Sequence, residues 1–118
     1  MKTIGIGLLL LALTAPVEAA EAPKRDQPQR CEIGPLHRIY GGKGWLVYSC
    51  SDKSTLVISA DKDNPAVPFV FIFYYKEGAY HLYGEGTGKK EYTAAAFEEL
   101  NKLNTRDITS LIAATQKE

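Results

Sequence analysis

The sequence predicts an α+β domain, an antiparallel β-meander of about five strands followed by a C-terminal helical hairpin packed on one face of the sheet. Two observations carry this prediction. Short apolar runs, separated by turns rich in glycine, proline and charge, fill the middle of the chain. Beyond residue 92 the hydrophobic period changes from that of strands to that of helices. Strands joined by such short turns pair antiparallel, because a parallel connection needs a long crossover.

The N-terminal end of the chain predicts export. Lys2 precedes an uncharged apolar stretch of ten residues at 4–13, and the small side chains of Val17 and Ala19 form a cleavage pattern. Residues 1–19 are therefore predicted to be a signal peptide. Ten apolar residues span about 15 Å as a helix, half of a bilayer core, which disfavours a permanent membrane anchor. The cleaved chain is expected to be periplasmic or secreted, without a stable anchor.

Two cysteines predict a disulfide in the domain that follows. Residues 20–30 combine prolines and charges with no large apolar side chain, which predicts a flexible leader before a single domain at 31–118. Cys31 and Cys50 are the only cysteines, and an even count in a small exported chain favours a structural bridge. Metal-binding or redox thiols are the alternative, but the C-x-x-C spacing and a nearby third ligand are both missing.

The strands can be placed in order along the domain. They are predicted at 36–40, 45–50, 55–60, 67–75 and 79–84. A glycine-rich turn at 41–44 joins the first two strands, and the D-K-D-N-P loop at 61–65 precedes the fourth. The fourth strand, V-P-F-V-F-I-F-Y-Y, is apolar at both alternating positions. This pattern predicts a central strand that is covered on both faces.

Two short helices are predicted after the sheet. Thr93 is the expected cap of the first helix, with Tyr92 and Phe97 as its hydrophobic staple. Asn104 is the expected cap of the second helix, with Asp107 at its N3 position. The two apolar stripes are Ala96, Phe97, Leu100 and Leu103, then Ile108, Leu111, Ile112 and Thr115. Helices this short are unstable alone, so both are expected to dock on one face of the sheet.

Composition and motifs argue against several chemistries. The chain has 14 basic and 14 acidic side chains, so it lacks the cationic excess typical of proteins that bind nucleic acid. The G-E-G-T-G-K segment at 84–89 fits neither a P-loop nor a dinucleotide fingerprint. The two histidines, His37 and His81, have no metal-ligand spacing, and no G-x-S-x-G elbow is present. No cofactor, metal site, catalytic residue or nucleic-acid partner is predicted.

The glycine-rich segment is the first candidate binding element. Its simplest interpretation is a flexible connection between the last strand and the first helix. The alternative is a presented loop, in which Glu85, Thr87 and Lys89 offer polar groups to a ligand or partner.

The aromatic side chains are the second candidate. Trp45, Tyr80 and Tyr83, with His81 beside them, fall on predicted strands. They are either the amphipathic rim of the core or an exposed surface for a partner protein or a sugar. Exposure of two or more of Trp45, Tyr75, Tyr80 and Tyr83 side by side would favour the second interpretation.

Two short motifs suggest a family. The run V-Y-S-C at 47–50, and G-E-G-T-G at 84–88 followed by Tyr92, faintly resemble periplasmic inhibitors of c-type lysozyme. Those are small exported β-barrels with a Y-x-C strand and a Ser-Gly-Ser-Gly loop that enters the lysozyme cleft. Glu85 and Thr87 stand where that loop has serines, and two predicted helices stand where the barrel would have further strands. The resemblance implies a binding protein that presents a loop.

The sequence thus favours a non-enzymatic, exported binding module of the bacterial cell envelope, whose partner is another exported protein or cell-wall material. One alternative is a small cell-envelope hydrolase that uses His37 or His81 with Glu85. That chemistry requires the histidine and the carboxylate to converge within hydrogen-bond reach in one cleft. A purely structural role in the envelope is a third hypothesis, which the sequence does not separate from the first.

Overall fold

The computed structural model describes residues 29–117. The predicted signal peptide and all but the last two residues of the predicted leader lie outside the described residues. The elements are β1 Ile33–Tyr40, β2 Lys43–Ser49, β3 Leu56–Ala60, β4 Phe69–Lys76, β5 Ala79–Gly86, α1 Lys90–Leu100 and α2 Thr105–Thr115. The strands form one antiparallel sheet in the order β1-β2-β3-β4-β5, which confirms the predicted α+β class.

Two tight hairpins set the register of the sheet. Gly41 and Gly42 join β1 to β2, and Glu77 and Gly78 join β4 to β5, all four with positive φ. Positive φ at both central residues defines a type I′ turn, whose twist matches that of the flanking strands. The predicted turn at 41–44 was too long, because Lys43 and Gly44 already belong to β2.

The core lies on one face of the sheet, which we call the covered face. Both helices pack there, chiefly over β1 and β2. Alternate strand residues fill the core from below, and the helices complete it from above with Ala96, Leu100, Ile108 and Ile112. The strand residues of this core are Leu36, Tyr40, Trp45, Val47, Leu56, Ile58, Phe71 and Phe73.

The opposite face, which we call the open face, carries neither helix. In β4, Phe71 and Phe73 are buried on the covered face, whereas Val70, Ile72 and Tyr74 on the open face are only half-buried. The prediction that this strand is covered on both faces is therefore wrong. Its double apolarity reflects a core on one side and an uncovered apolar surface on the other.

The two helices begin for different reasons. Helix α2 starts at an Asn104 cap with a complete capping box to Asp107, as predicted. Helix α1 starts at Lys89 and Lys90 rather than at Thr93, which is buried inside the first turns. The Lys89 cap makes no side-chain hydrogen bond, so tertiary contacts of the preceding segment, not a local cap, fix where α1 begins.

A disulfide clip ties the start of the domain to the turn after β2. Cys31 and Cys50 are bonded at 2.04 Å, as predicted, and Ser51 N–H donates to the Arg30 carbonyl at 2.6 Å. The Asp52 carboxylate then accepts hydrogen bonds from Gln29 and from the backbone of the same turn. The bridge is consistent with an oxidising, extracytoplasmic location. Neither helix within 29–117 has the length and hydropathy that a bilayer crossing requires.

Candidate functional site

Three of the predicted binding residues share the open face of β5. The register places Glu85 opposite Val70, Tyr83 opposite Ile72 and His81 opposite Tyr74. These positions alternate along β5, so their side chains point away from the helices. The β4–β5 hairpin thus brings together residues that the sequence presented only as a scattered set.

Tyr74, His81 and Tyr83 form an aromatic strip on this face. The Tyr74 ring stacks on the His81 imidazole with 5.2 Å between centroids, and meets the Tyr83 ring edge-on at 5.6 Å. His81 Nε2 also lies 3.2 Å from the Lys76 carbonyl oxygen, which fixes the orientation of the imidazole. Tyr83 remains 42 % exposed. The strip is therefore ordered by its own contacts and still accessible.

Aliphatic side chains extend the aromatic strip across the sheet. The row through Tyr83 continues over the neighbouring strands as Ile72, Val57 and Tyr48, all half-buried. A second row contains Val70 and Leu46, with the polar Ser59 between them. The row from Tyr83 to Tyr48 is consequently a contiguous surface of aromatic and aliphatic groups across β2 to β5, a composition typical of the centre of an interface.

Trp45 and Tyr80 do not belong to that surface. Trp45 is fully buried on the covered face, where its indole N–H donates to the Tyr40 carbonyl at 3.1 Å. The expectation that Trp45 lies on a binding surface is therefore wrong. Tyr80 also has covered-face parity, packs against the core while half-buried, and meets Tyr75 edge-on at 5.1 Å. Burial raises the pKa of the Tyr80 phenol, and the charges of Asp52 and Tyr75 act in the same direction.

The tyrosines are thus split between two faces, so no two of Trp45, Tyr75, Tyr80 and Tyr83 are exposed side by side. Tyr75 is 52 % exposed beside the half-buried Tyr80, whereas Tyr83 is exposed on the opposite side of the sheet. The open face offers the larger apolar surface, because the Tyr75–Tyr80 pair has no comparable aliphatic rows around it.

The glycine-rich segment is anchored by close packing. Gly84, Glu85 and Gly86 belong to β5, so the expected flexible connection is wrong for them. A methyl group at Gly84 would lie 2.6 Å from Phe69 Cζ, and one at Gly86 or Gly88 would collide with backbone before β4. The glycines therefore allow the chain to pass close to Phe69.

The polar groups of this segment are exposed, as the interpretation of the segment as a presented loop required. Glu85, Thr87 and Lys89 all face solvent, and the Thr87 N–H donates to the Pro68 carbonyl at 3.1 Å. Glu85 and Thr87 border a shallow depression with Pro68 and Val70. They form the polar end of the open face.

A separate groove lies between α1 and the β4–β5 hairpin on the covered face. Because the helices sit chiefly over β1 and β2, this end of the sheet is incompletely covered. Gly84 contributes no side chain there, and the Phe71 and Phe97 rings approach to 6.2 Å between centroids. The groove has a volume of about 390 Å³ and is lined by Phe69, Phe71, Gly84, Lys90, Thr93, Ala94, Phe97 and Glu98.

The histidines do not assemble a catalytic pair with Glu85. His37 on β1 and Glu85 on β5 lie in the same cross-strand row, four strand spacings or about 19 Å apart. His81 and Glu85 are four residues apart on one strand, about 13 Å. His37 Nδ1 lies 3.7 Å from an Asp61 oxygen, but the imidazole is exposed. Within 29–117, no three metal-ligating side chains gather into a site.

Comparison with known proteins finds no matching family model, no similar curated protein and no similar solved structure. The sheet of residues 29–117 is open, with β1 and β5 at its two edges, and is not the closed barrel that the lysozyme-inhibitor resemblance implies. The site is defined by its own residues. The aromatic strip could not be anticipated as a unit, because Tyr74 signals core as readily as surface in the sequence.

Proposed function

We propose that this protein is an exported, non-enzymatic binding module of the bacterial cell envelope, which holds another exported protein or cell-wall material on the open face of its sheet. One observation carries the proposal. Both helices pack on the covered face, and the open face retains a contiguous aromatic and aliphatic surface centred on the aromatic strip.

The chemistry of the open face suits recognition rather than catalysis. Tyrosine combines a large apolar ring with a hydroxyl, so it contributes contact area at a wet interface and at the faces of sugar rings. The stacking of Tyr74 on His81 restrains both rings before any partner arrives, which lowers the entropic cost of binding. Glu85 and Thr87 at one end supply polar contacts that orient the partner.

Two features support export. The N-terminal pattern of the sequence predicts a signal peptide, and the domain contains a disulfide, which persists in oxidising compartments. An exposed apolar face in such a compartment would be available to envelope components from the moment of secretion.

Site-specific photo-crosslinking tests the proposal. A photoreactive phenylalanine analogue replaces Tyr83 on the open face, and in a matched control it replaces Tyr75, which is similarly exposed on the opposite face. Both full-length variants are expressed in cells and irradiated, and the products are identified by mass spectrometry.

A defined partner protein or cell-wall fragment captured at position 83 and not at position 75 is the expected result. Equal capture at the two positions, or none at position 83, would contradict the proposal. A product that contains two copies of this chain reports self-association and does not count as support.

The groove between α1 and the β4–β5 hairpin favours a second candidate function, the binding of a small amphipathic molecule. Its volume lies within the range of ligand sites, and Lys90 and Glu98 stand beside the aromatic floor. Ala94→Leu would fill the groove, and Ala113→Leu adds the same volume on the exposed side of α2. Binding of anilinonaphthalene sulfonate should be lost only in Ala94→Leu. Unchanged binding in that variant would exclude this groove.

A further inference from the structure

Strand β5 forms an unprotected edge of the sheet. No element among residues 29–117 pairs with its outer side. Natural sheets protect such edges with prolines, lysines, bulges or covering elements, because unpaired N–H and C=O groups otherwise recruit another strand. The β1 edge follows this rule, since it contains Pro35, a register shift between Ile33 and Leu36, and contacts with both helices. In contrast, β5 has eight residues, an unbroken register with β4, no proline or lysine, and Glu85 as its single acidic or basic charge.

The hairpin geometry fixes which backbone groups point outward. A two-residue type I′ turn is closed by a hydrogen-bonded pair, here Lys76 and Ala79. Hydrogen-bonded pairs alternate along an antiparallel ladder, so His81, Tyr83 and Glu85 also bond to β4. Their neighbours on β5 direct the N–H and C=O groups to the free side. These outward residues are Tyr80, Leu82 and Gly84, whereas Gly86 leaves the strand conformation with φ 135°.

A second copy of β5 complements this edge in one symmetric register. With a two-fold axis beside Tyr83, Leu82 faces Gly84 of the second copy and the two form a hydrogen-bonded pair. The large Leu82 side chain of each copy thus lies opposite a glycine of the other copy. On the open face, His81 faces Glu85 of the second copy, again twice, and the two Tyr83 residues face each other.

Neighbouring symmetric registers are less favourable. Centring the axis on His81 places Glu85 opposite Glu77 of the second copy, and like charges directly opposite each other destabilise a strand pair. Centring it on Leu82 leaves Glu85 opposite Ala79, without a polar partner. Charge and side-chain size therefore favour the axis at Tyr83 over the axes at His81 and Leu82.

We infer that the protein forms a symmetric homodimer through antiparallel β5–β5 pairing, which joins the two sheets into a single ten-stranded sheet. The occupant of the edge is a second copy because the edge is self-complementary in its polar His81–Glu85 pairing and in side-chain size. The two aromatic strips then lie side by side on a continuous open face. The pairing uses backbone groups and does not depend on the identity of any other partner.

Sedimentation of protein purified from cells that express the full chain tests this inference. A reversible dimer with a dissociation constant of about 1–100 µM is expected, because edge pairing alone buries a small interface. Glu85→Lys replaces the two favourable His81–Glu85 pairs and should weaken the dimer by about tenfold. Glu32→Lys changes the net charge equally at the opposite end of the sheet order and should leave the dimer unchanged.

A cysteine at the symmetry axis tests the register directly. Residues 83 of the two copies form a non-hydrogen-bonded pair with Cα atoms about 4.5 Å apart, within the span of a disulfide. Tyr83→Cys should therefore give a disulfide-linked dimer under mild oxidation, detected by non-reducing peptide mapping. His81→Cys should not, because its own copy is about 13 Å further along the strand pair.

The negative outcomes are distinct. A single-copy mass at concentrations up to about 1 mM would overturn the dimer. A dimer that neither weakens in Glu85→Lys nor links through Tyr83→Cys would use another surface, and would equally overturn β5 pairing. Neither result bears on the crosslinking test of the open face, so the two proposals fail separately.

Discussion

At the scale of single residues, Glu77 occupies a position that its side chain disfavours. It has φ 54° in the type I′ turn, where Asn and Gly are preferred. We expect Glu77→Asn to raise the free energy of unfolding by about 0.5–1 kcal/mol, because Asn tolerates the left-handed region better. Urea titration measures the change. Glu32→Asn, an exposed change without positive φ, should give no such gain, and a gain of similar size there would refute the turn explanation.

Asp52 gives the turn after β2 a dependence on pH. Partial burial by itself would raise the pKa of the Asp52 carboxyl, but the hydrogen bonds that it accepts outweigh burial and hold this pKa below its ordinary value. A carboxyl whose pKa is lower in the folded state contributes stability above the unfolded-state pKa, near 4. That contribution is lost as the pH falls through the folded-state value.

The expected signature of Asp52 is a variant that loses less stability in acid than the parent protein does. Asp52→Asn should be less stable at pH 7, and the difference should shrink as the pH falls below about 4. Urea unfolding at several pH values measures it. Asp63→Asn, which removes an exposed carboxylate, is the control and should retain the parent's pH profile. A constant difference between Asp52→Asn and the parent at every pH would contradict the assignment.

At the scale of elements, the β1–β2 turn docks against α1. The Gly41 N–H donates to Glu99 Oε1 at 2.6 Å. A methyl group on Gly41 would meet the backbone of Ala95 and Ala96, whereas one on Gly42 would meet nothing within 4 Å. Both glycines have positive φ, which makes them a matched pair.

Comparison of the two alanine variants isolates this contact between turn and helix. Gly42→Ala should lower the free energy of unfolding by about 1–2 kcal/mol, the cost of the left-handed backbone alone. Gly41→Ala carries the same cost and adds about 1–3 kcal/mol from overpacking against α1. Chemical denaturation of both variants measures the difference. Equal destabilisation would show that the turn does not pack on α1.

An element could be predicted from the sequence where the interactions that form it lie between residues close together in the chain. The start of α2 could be predicted because the capping box of Asn104 and Asp107 is complete within four residues. The start of α1 could not, because it follows from hydrogen bonds that the Thr87 and Gly88 N–H groups donate to the distant Pro68 carbonyl. The role of the G-x-G-x-G glycines could likewise not be predicted, because it depends on the Phe69 ring, which lies on the other strand of the hairpin.

At the scale of the whole molecule, fold class followed from hydrophobic periodicity, but the candidate site did not. The sequence of β4 is apolar on both faces, which predicted that both faces are covered. That pattern does not show whether the second face is covered by the same chain. For the same reason Trp45 could be predicted as surface or as core. Exposure of a whole sheet face is a property of the layer arrangement, and no short segment encodes it.

The disulfide provides the last prediction at this scale. The bond links the start of the domain to the turn after β2, closing a loop with a sequence separation of 19 residues, and Cys50 is fully buried. In the chain-entropy model such a loop is worth about 3 kcal/mol. Cys31→Ser combined with Cys50→Ala should therefore lower the free energy of unfolding by about that amount.

Alanine at position 50 leaves no unpaired hydroxyl buried in the folded protein. The decrease in the free energy of unfolding should therefore come mainly from the unfolded chain, which is no longer crosslinked. Reducing agent should destabilise the parent protein by a similar amount and leave the double variant unchanged. The slope of the urea transition should also steepen in the variant, because an uncrosslinked chain exposes more surface when it unfolds. If the variant matched the parent in both midpoint and slope, the bridge would not constrain the unfolded chain. The stability of the sheet would then come from its one-sided core alone.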